Sequence, residues 1–365
     1  MSGQNADICA LDADPLSSST TCMASDLYRI VSCDNGTGLS RDLGLMADAL
    51  TLGGQRVQRL GFSRGKLTRL VQEAGARLAG AFGHQVHTQV FSERVYPGCL
   101  ALAERNLLVP NPEWFLPQWL PLLPRFEAVL CKTRHAELAF RRLGCRTRYI
   151  GFTSRDRYDP AIPRRYAFFH LAGRSTAKGT RVLLDTWQRH PQWPQLTVVQ
   201  NPRSAGERVR AGNIDHRIAY LDDAELRTLQ NAHLFHLCPS EVEGFGHSLM
   251  EAMSVGAVTL TTDAEPMNEL VTPARGLLLA PACSRMQRLA SYHYVDRAGI
   301  EAGVERALAL SVLQRDTISR AARRYFCHND AAFATRFQAA VLSQAAPAAA
   351  APAVERIAGI GVPAP

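Results

Sequence analysis

The chain has 365 residues, 46% of them hydrophobic and 20% charged, with a formal net charge of +8. That length suits two ordinary domains, and that balance excludes a disordered or fibrous protein. No apolar run reaches the ~18 residues of a membrane-spanning helix, and the nine cysteines have neither zinc-ligand nor disulfide-scaffold spacing. The first 25 residues lack a basic start followed by an apolar core, so no secretory signal is expected, and a reducing cytoplasm is the expected compartment. Nearly all the positive charge is arginine; the only lysines are Lys66, Lys132 and Lys178. The positive balance suits an anionic ligand or an anionic lipid surface. No basic run is interleaved with aromatics, so nucleic acid is not an expected partner.

Residues 1–25 are polar and rich in Ser, Thr and Asp, the composition of a flexible arm. Residues 28–33 form an apolar strand that runs into Asn35-Gly36-Thr37-Gly38, and a helix follows through Leu43, Met46, Ala47 and Leu50. Further strands are expected near 57–60, 86–91, 106–109, 127–131 and 147–150, with a helix over 133–143. His84 and His87 flank the 86–91 strand and are expected to be packed residues. Pro160 and Pro163 mark 156–165 as an interdomain linker. The pattern then restarts: a strand at 166–171, a glycine-bearing loop, and a helix through Val182, Leu183 and Trp187. Strands at 196–199 and 217–220, a helix at 224–231, and strands at 234–238, 257–261 and 276–279 come next. Helices fill 298–310 and most of 314–342. An Ala/Pro tail from residue 345 has little reason to pack. Apolar β-branched runs alternating with helical patterns predict two α/β domains with parallel sheets.

The most informative stretch is 238–271. Glu243 is followed by Gly244-Phe245-Gly246-His247, and Glu251 comes eight positions after Glu243. A strand leads in and a helical pattern (Leu249, Met250, Met253) leads out. The spacing of eight predicts both carboxylates on one side of a helix. Glycines let a backbone approach a ligand, and free amides at a helix start favour an anion. The earlier loop Gly173-Arg174-Ser175-Thr176-Ala177-Lys178-Gly179 sets two cations before a second helix, a pattern suited to a diphosphate.

Together these blocks resemble the Glu-x7-Glu and Gly-Arg…Lys-Gly signatures of retaining glycosyltransferases with the GT-B fold, family 4 type. The resemblance implies two Rossmann-like domains facing each other across a cleft, with disordered N- and C-terminal tails. It implies an N-terminal acceptor domain over 26–160, a nucleotide-sugar domain over 161–323, and a helix over 324–344 crossing back to the first domain. Arg174 and Lys178 would then bind the donor pyrophosphate, Glu243 would sit near the transferred sugar, and Glu251 would accept from the ribose. Gly244, Phe245, Gly246 and His247 would line the donor site through their backbone, with the His247 side chain facing solvent. Gly38 belongs to the loop that relatives place between donor and acceptor.

Two departures stand out. Relatives carry a histidine after the strand corresponding to 106–109, where this chain has Asn111-Pro112-Glu113-Trp114-Phe115. Asn111, Glu113 and Trp114 are therefore candidate acceptor or sugar contacts; Trp114 and Phe115 fit either a stacking platform or the core. Relatives also carry a glycine pair before Glu269, absent here, and Glu269 is expected to cap the helix that follows it. The function implied is transfer of a hexose from a nucleoside-diphosphate sugar to a glycan or other hydroxyl acceptor, in cell-envelope or other glycan synthesis. No cofactor and no metal are expected, and peripheral contact with the inner face of a membrane is compatible with the charge. An inactive scaffold that binds a glycan or a partner, or a nucleotide-sugar epimerase, is the alternative.

Overall fold

The computed structural model describes residues 27–33, 38–62, 65–81 and 86–343. The expected N-terminal arm, the Asn35-Gly36-Thr37 turn, His84 and the Ala/Pro tail lie outside them. The first lobe contains β1 (Leu27–Cys33), α1 (Gly38–Leu52), β2 (Arg56–Phe62), α2 (Lys66–Ala81), β3 (Val86–Ser92), β4 (Ala103–Val109), β5 (Ala128–Cys131), α3 (Arg134–Arg142) and β6 (Thr147–Tyr149). Its strands form one parallel sheet in the order β2-β1-β3-β4-β5-β6. The helix α2 had no counterpart in the sequence-based expectation.

The second lobe contains β7 (Arg165–Gly173), α4 (Thr180–Trp187), β8 (Leu196–Gln200), β9 (Ile214–Ile218), α5 (Asp223–Ala232), β10 (His233–Cys238), α6 (His247–Ser254), β11 (Val258–Thr262), α7 (Met267–Leu270) and β12 (Leu277–Leu279). The parallel order is β12-β11-β10-β7-β8-β9. The strand expected at 217–220 is displaced toward the N-terminus, because Ile214 and His216 are the residues that face inward. After β12 comes an antiparallel hairpin, β13 (Cys283–Gln287) and β14 (Ala290–Tyr294), also unexpected. Strand β13 is exposed along its whole length, so no hydrophobic alternation announces it. The last helices among the described residues are α8 (Arg297–Ala309) and the long α9 (Val312–Leu342), which opens on a Ser311/Gln314 capping box.

The inner strands of each sheet are buried on both faces, as in parallel sheets covered by helices. In the second lobe Phe168, Trp187 and Trp193 interlock, each with an edge against its neighbour. In the first lobe Phe91, Phe115, Trp119, Phe126 and Phe140 form an aromatic core. A third cluster joins the lobes: Leu50, Phe152, Phe245, Leu249, Met253, Phe326, Phe333 and Phe337 pack together. Helix α9 is the strut of this cluster, touching α6 in one lobe and α1 in the other. Arg336 donates to the carbonyls of Ile150 and Gly151, and Gln338 to that of Ala49.

The segment read as a linker is held firmly. Arg157 is 4% exposed and donates to Gln230, to the Asp223 carboxylate and to the Asp223 carbonyl. Among the described residues, no helix is long and apolar enough to cross a membrane.

Candidate active site

In an open α/β sheet, ligands collect at the carboxyl ends of strands where the strand order reverses. The second lobe reverses between β10 and β7, and the first between β1 and β3. Described residues near these strand ends line a cleft of about 920 Å³ between the lobes. Its walls carry Arg41 and Asp42 from α1, Asn111 to Trp114 after β4, and Lys132 after β5. Opposite them stand the Arg174–Lys178 turn after β7 and the Glu241–Ser248 turn after β10, with Glu251 from α6.

Two glycines make this arrangement sterically feasible. Gly179 begins α4 with φ of 65°, and a Cβ there would stand 2.5 Å from the carbonyl oxygen of Pro239. The two phosphate-type turns therefore pack backbone to backbone. Gly244 faces the other lobe: a Cβ would lie 2.5 Å from Asn111 Cγ and 2.6 Å from Glu113 Oε1. Beneath the first turn, His170 is buried and held near pKa 4, chiefly by desolvation. It is neutral at pH 7, so Nδ1–H donates to the Leu237 carbonyl at 2.7 Å while Nε2 accepts from Thr180 Oγ1. That fixes the first residue of α4 against β10.

The charged groups are arranged in pairs. Lys178 forms an ion pair with Glu243 and lies 3.4 Å from Ser248 Oγ. Glu251, 2% exposed, is paired with Arg41 from the opposite lobe and accepts from Gln230 Nε2 at 2.7 Å. Arg174 is exposed on the cleft rim. All four residues of the two signatures thus open onto one space, but not by the route the spacing of eight implied. Only Glu251 lies on α6, which starts at His247; Glu243 sits in the preceding turn and is returned to the cleft by Gly244 and Gly246. Phe245 turns its side chain into the core, edge-on to Phe152 at 5.3 Å, and leaves its backbone to the cleft.

His247 does not face solvent. Its Nε2 donates to Asp42 Oδ1 at 2.6 Å, and Ser154 Oγ lies 2.6 Å from Nδ1. Asp42 also receives Lys132 Nζ at 2.5 Å, and Lys132 donates onward to Asn111 Oδ1 at 3.0 Å. Burial alone would raise the Asp42 carboxyl, but Lys132 and His247 outweigh it and bring the pKa down to about 2. This chain of five polar side chains spans both lobes. Asp42 and Lys132 escaped the sequence reading because neither sits in a glycine-bearing motif. The rarity of lysine in this chain was the one available signal for Lys132.

The other candidate residues separate on inspection. Trp114 is 49% exposed at the cleft mouth with Arg288 over its ring at 5.5 Å, whereas Phe115 is in the core. Glu113 is 4% exposed and lines the cleft. Gly38 starts α1, beside the residues that are not described. Glu269 caps a helix, though not the expected one. Its carboxylate accepts from the amides of Arg134 and His135, at 2.7 and 3.2 Å, at the start of α3 in the other lobe. The unforeseen hairpin adds Arg288, Tyr292 and Tyr294 to the cleft wall, and Arg288 donates to the Glu113 carbonyl at 3.0 Å. Among the described residues, no group of three or more His, Cys, Asp and Glu side chains is placed to hold a metal ion.

Two facing lobes, each with a parallel sheet, and an interlobe cleft at both switch points define a GT-B protein. Solved structures agree with that class. A glycosyltransferase from Rickettsia africae ESF-5 superposes with a TM-score of 0.66 at 12% identity, covering 88% of this chain and 100% of that one. Sucrose-phosphate synthase from Thermosynechococcus elongatus gives 0.66 at 15% identity over 86% and 97% of the two chains. HepE from Anabaena, solved in complex with UDP and glucose, gives 0.64 at 13% identity over 88% and 100%. Within the class, residues 216–292 match the family model described as glycosyl transferases group 1. That segment holds Glu243, Glu251 and most of the hairpin, so the match falls on the Glu-x7-Glu block from which the resemblance to glycosyltransferases was read. No curated protein matches the sequence.

Proposed function

We propose that the protein is a retaining glycosyltransferase of the family 4 type, moving a hexose from a nucleoside-diphosphate sugar to a hydroxyl of a glycan or other acceptor. The observation that carries this reading is the convergence of Arg174, Lys178, Glu243 and Glu251 on one interlobe cleft. The bond from the anomeric carbon to the diphosphate oxygen breaks, and the acceptor oxygen bonds to that carbon from the same face. The acceptor proton passes to the departing phosphate oxygen. Lys178 exchanges Glu243 for the diphosphate, where Arg174 and the free amides of α4 also meet the charge that develops. Glu243, released from Lys178, faces the electron-poor sugar ring. Glu251 takes the ribose hydroxyls in place of Arg41. Side chains and helix amides neutralise the diphosphate in this scheme, and no resident metal or cofactor is invoked. The lobes exclude water and so suppress donor hydrolysis.

The UDP and glucose held by the HepE neighbour support a nucleotide-sugar as donor. Saccharide chains of a cell envelope fit as acceptors, made in the cytoplasm with peripheral contact at the inner membrane face. The test is nucleoside-diphosphate affinity measured by calorimetry across a panel of bases. Lys178→Ala should lose roughly tenfold or more, the worth of a charge-assisted hydrogen bond. Unchanged affinity would remove Lys178 from the donor site. Proton NMR of the product formed from an α-linked donor checks retention, which requires an α-linked product.

A further inference from the structure

The Glu113 carboxyl is a polar group of the cleft wall that its described surroundings leave unexplained. It is 4% exposed, and its Oε2 has no hydrogen-bond partner among the described residues. Oε1 lies against Gly244, where even a methyl group would stand 2.6 Å away. Glu113 therefore abuts, from the other lobe, the turn that carries Glu243. Its backbone is clamped from both sides. The residue lies in a short turn of 3-10 helix bracketed by Asn111 and Phe115, and its carbonyl accepts from Arg288 of the hairpin at 3.0 Å. A buried acceptor left unmet costs about 1–3 kcal/mol, so a carboxyl fixed in this way calls for a partner that arrives with the substrate.

We propose that the Glu113 carboxyl, through Oε2, donates a hydrogen bond to a hydroxyl oxygen of the sugar held beside the Gly244 turn. The proposal rests on the glycosyltransferase reading and adds to it a specificity-determining contact, at the place where relatives carry a histidine. The charge state follows from the surroundings. Desolvation is the largest influence and raises the carboxyl pKa. Glu93 and Glu243, across the cleft, raise it further, while the residue's own amide and Lys132 lower it; the result is about 8. Tyr292, from β14, also feels Glu113, and Arg288 meets the backbone carbonyl. Arg94 and Asp42 complete the charged lining on this side. At neutral pH the group is thus a carboxylic acid with an O–H to give. A carboxylate there could only accept and would face the charge of Glu243. The contact is present below the pKa and is lost as pH rises through about 8; a bound hydroxyl moves that midpoint upward.

The experiment has two arms on the full chain. Infrared difference spectra of wild type minus Glu113→Gln should show a protonated-carboxyl C=O band at about pH 6 that is gone at about pH 10, on either side of the expected midpoint. Absence of that band at the lower pH overturns the proposal. Calorimetry with UDP, UDP-glucose, GDP and GDP-mannose as probes gives the affinity added by the sugar. In wild type that increment should fall roughly fivefold between the two pH values, the worth of one neutral hydrogen bond. In Glu113→Gln, which keeps an N–H donor, it should stay constant. An increment that is the same at both pH values in wild type, with nucleotide still bound, overturns the Glu113 contact alone and leaves the transferase reading standing. Failure of every nucleotide to bind overturns both. The wild-type arm needs no variant, so a misfolded Glu113→Gln protein would not spare the proposal.

Discussion

The Lys132 ammonium is 2% exposed, sits on Asp42, reaches Asn111, and lies 4.9 Å from the centre of the Phe152 ring. A buried ion pair adds little over an apolar replacement, but removing one partner strands the other, at a cost of about 3–5 kcal/mol. Lys132→Ala should therefore destabilise the protein by about that amount in urea titrations at neutral pH. The acid side gives a second readout. Asp42 is held down to about 2 from an ordinary 3.8, so its contribution is present above the ordinary value and is lost as pH falls toward 2. Without Lys132, burial would dominate and lift the Asp42 carboxyl above its ordinary value, so the Asp42 share of stability should grow rather than shrink as pH falls through that range. Identical acid limbs in the two proteins would show that Lys132 is not what holds Asp42 ionised.

Among elements, α9 and the β13–β14 hairpin show how differently sequence can speak. Helix α9 is legible from its length and its spaced apolar residues, and its last turns place Phe337, fully buried, against α1. Phe337→Ala should cost about 3–5 kcal/mol, read as a lower urea midpoint with both lobes unfolding together. A wild-type-like midpoint would mean that the helix merely lies on the first lobe. The strands were legible because parallel strands covered on both faces are near-continuous apolar runs. Their order was not, since local composition carries no record of neighbours. The hairpin escaped because β13 is exposed throughout and is held by pairing with β14. In the site, the residues standing in glycine-bearing turns were visible: Arg174, Lys178, Glu243 and Gly244. Asp42, Lys132 and Arg41 were hidden because their role comes from long-range proximity, α1 meeting β5 and α6, which no short window contains. Glu269 was assigned to the helix following it for the same reason.

At the scale of the whole molecule, three of the contacts between the lobes differ in kind. There is the apolar cluster under α9, the polar chain from Ser154 through His247 and Asp42 to Lys132, and the bond of Glu269 to the first turn of α3. The last has a particular mechanical meaning. An acceptor at a helix start is worth about 1 kcal/mol, and here the acceptor belongs to the other lobe. Every excursion that separates the two halves must leave the Arg134 and His135 amides bare. Their hydrogen-exchange protection should therefore follow the frequency of such excursions and increase when a nucleoside diphosphate fills the cleft. Exchange rates at these two amides that ignore ligand would mean the lobes do not part there. The first turn of α3 is in effect a strain gauge built into the hinge, legible by NMR one amide at a time without any added label.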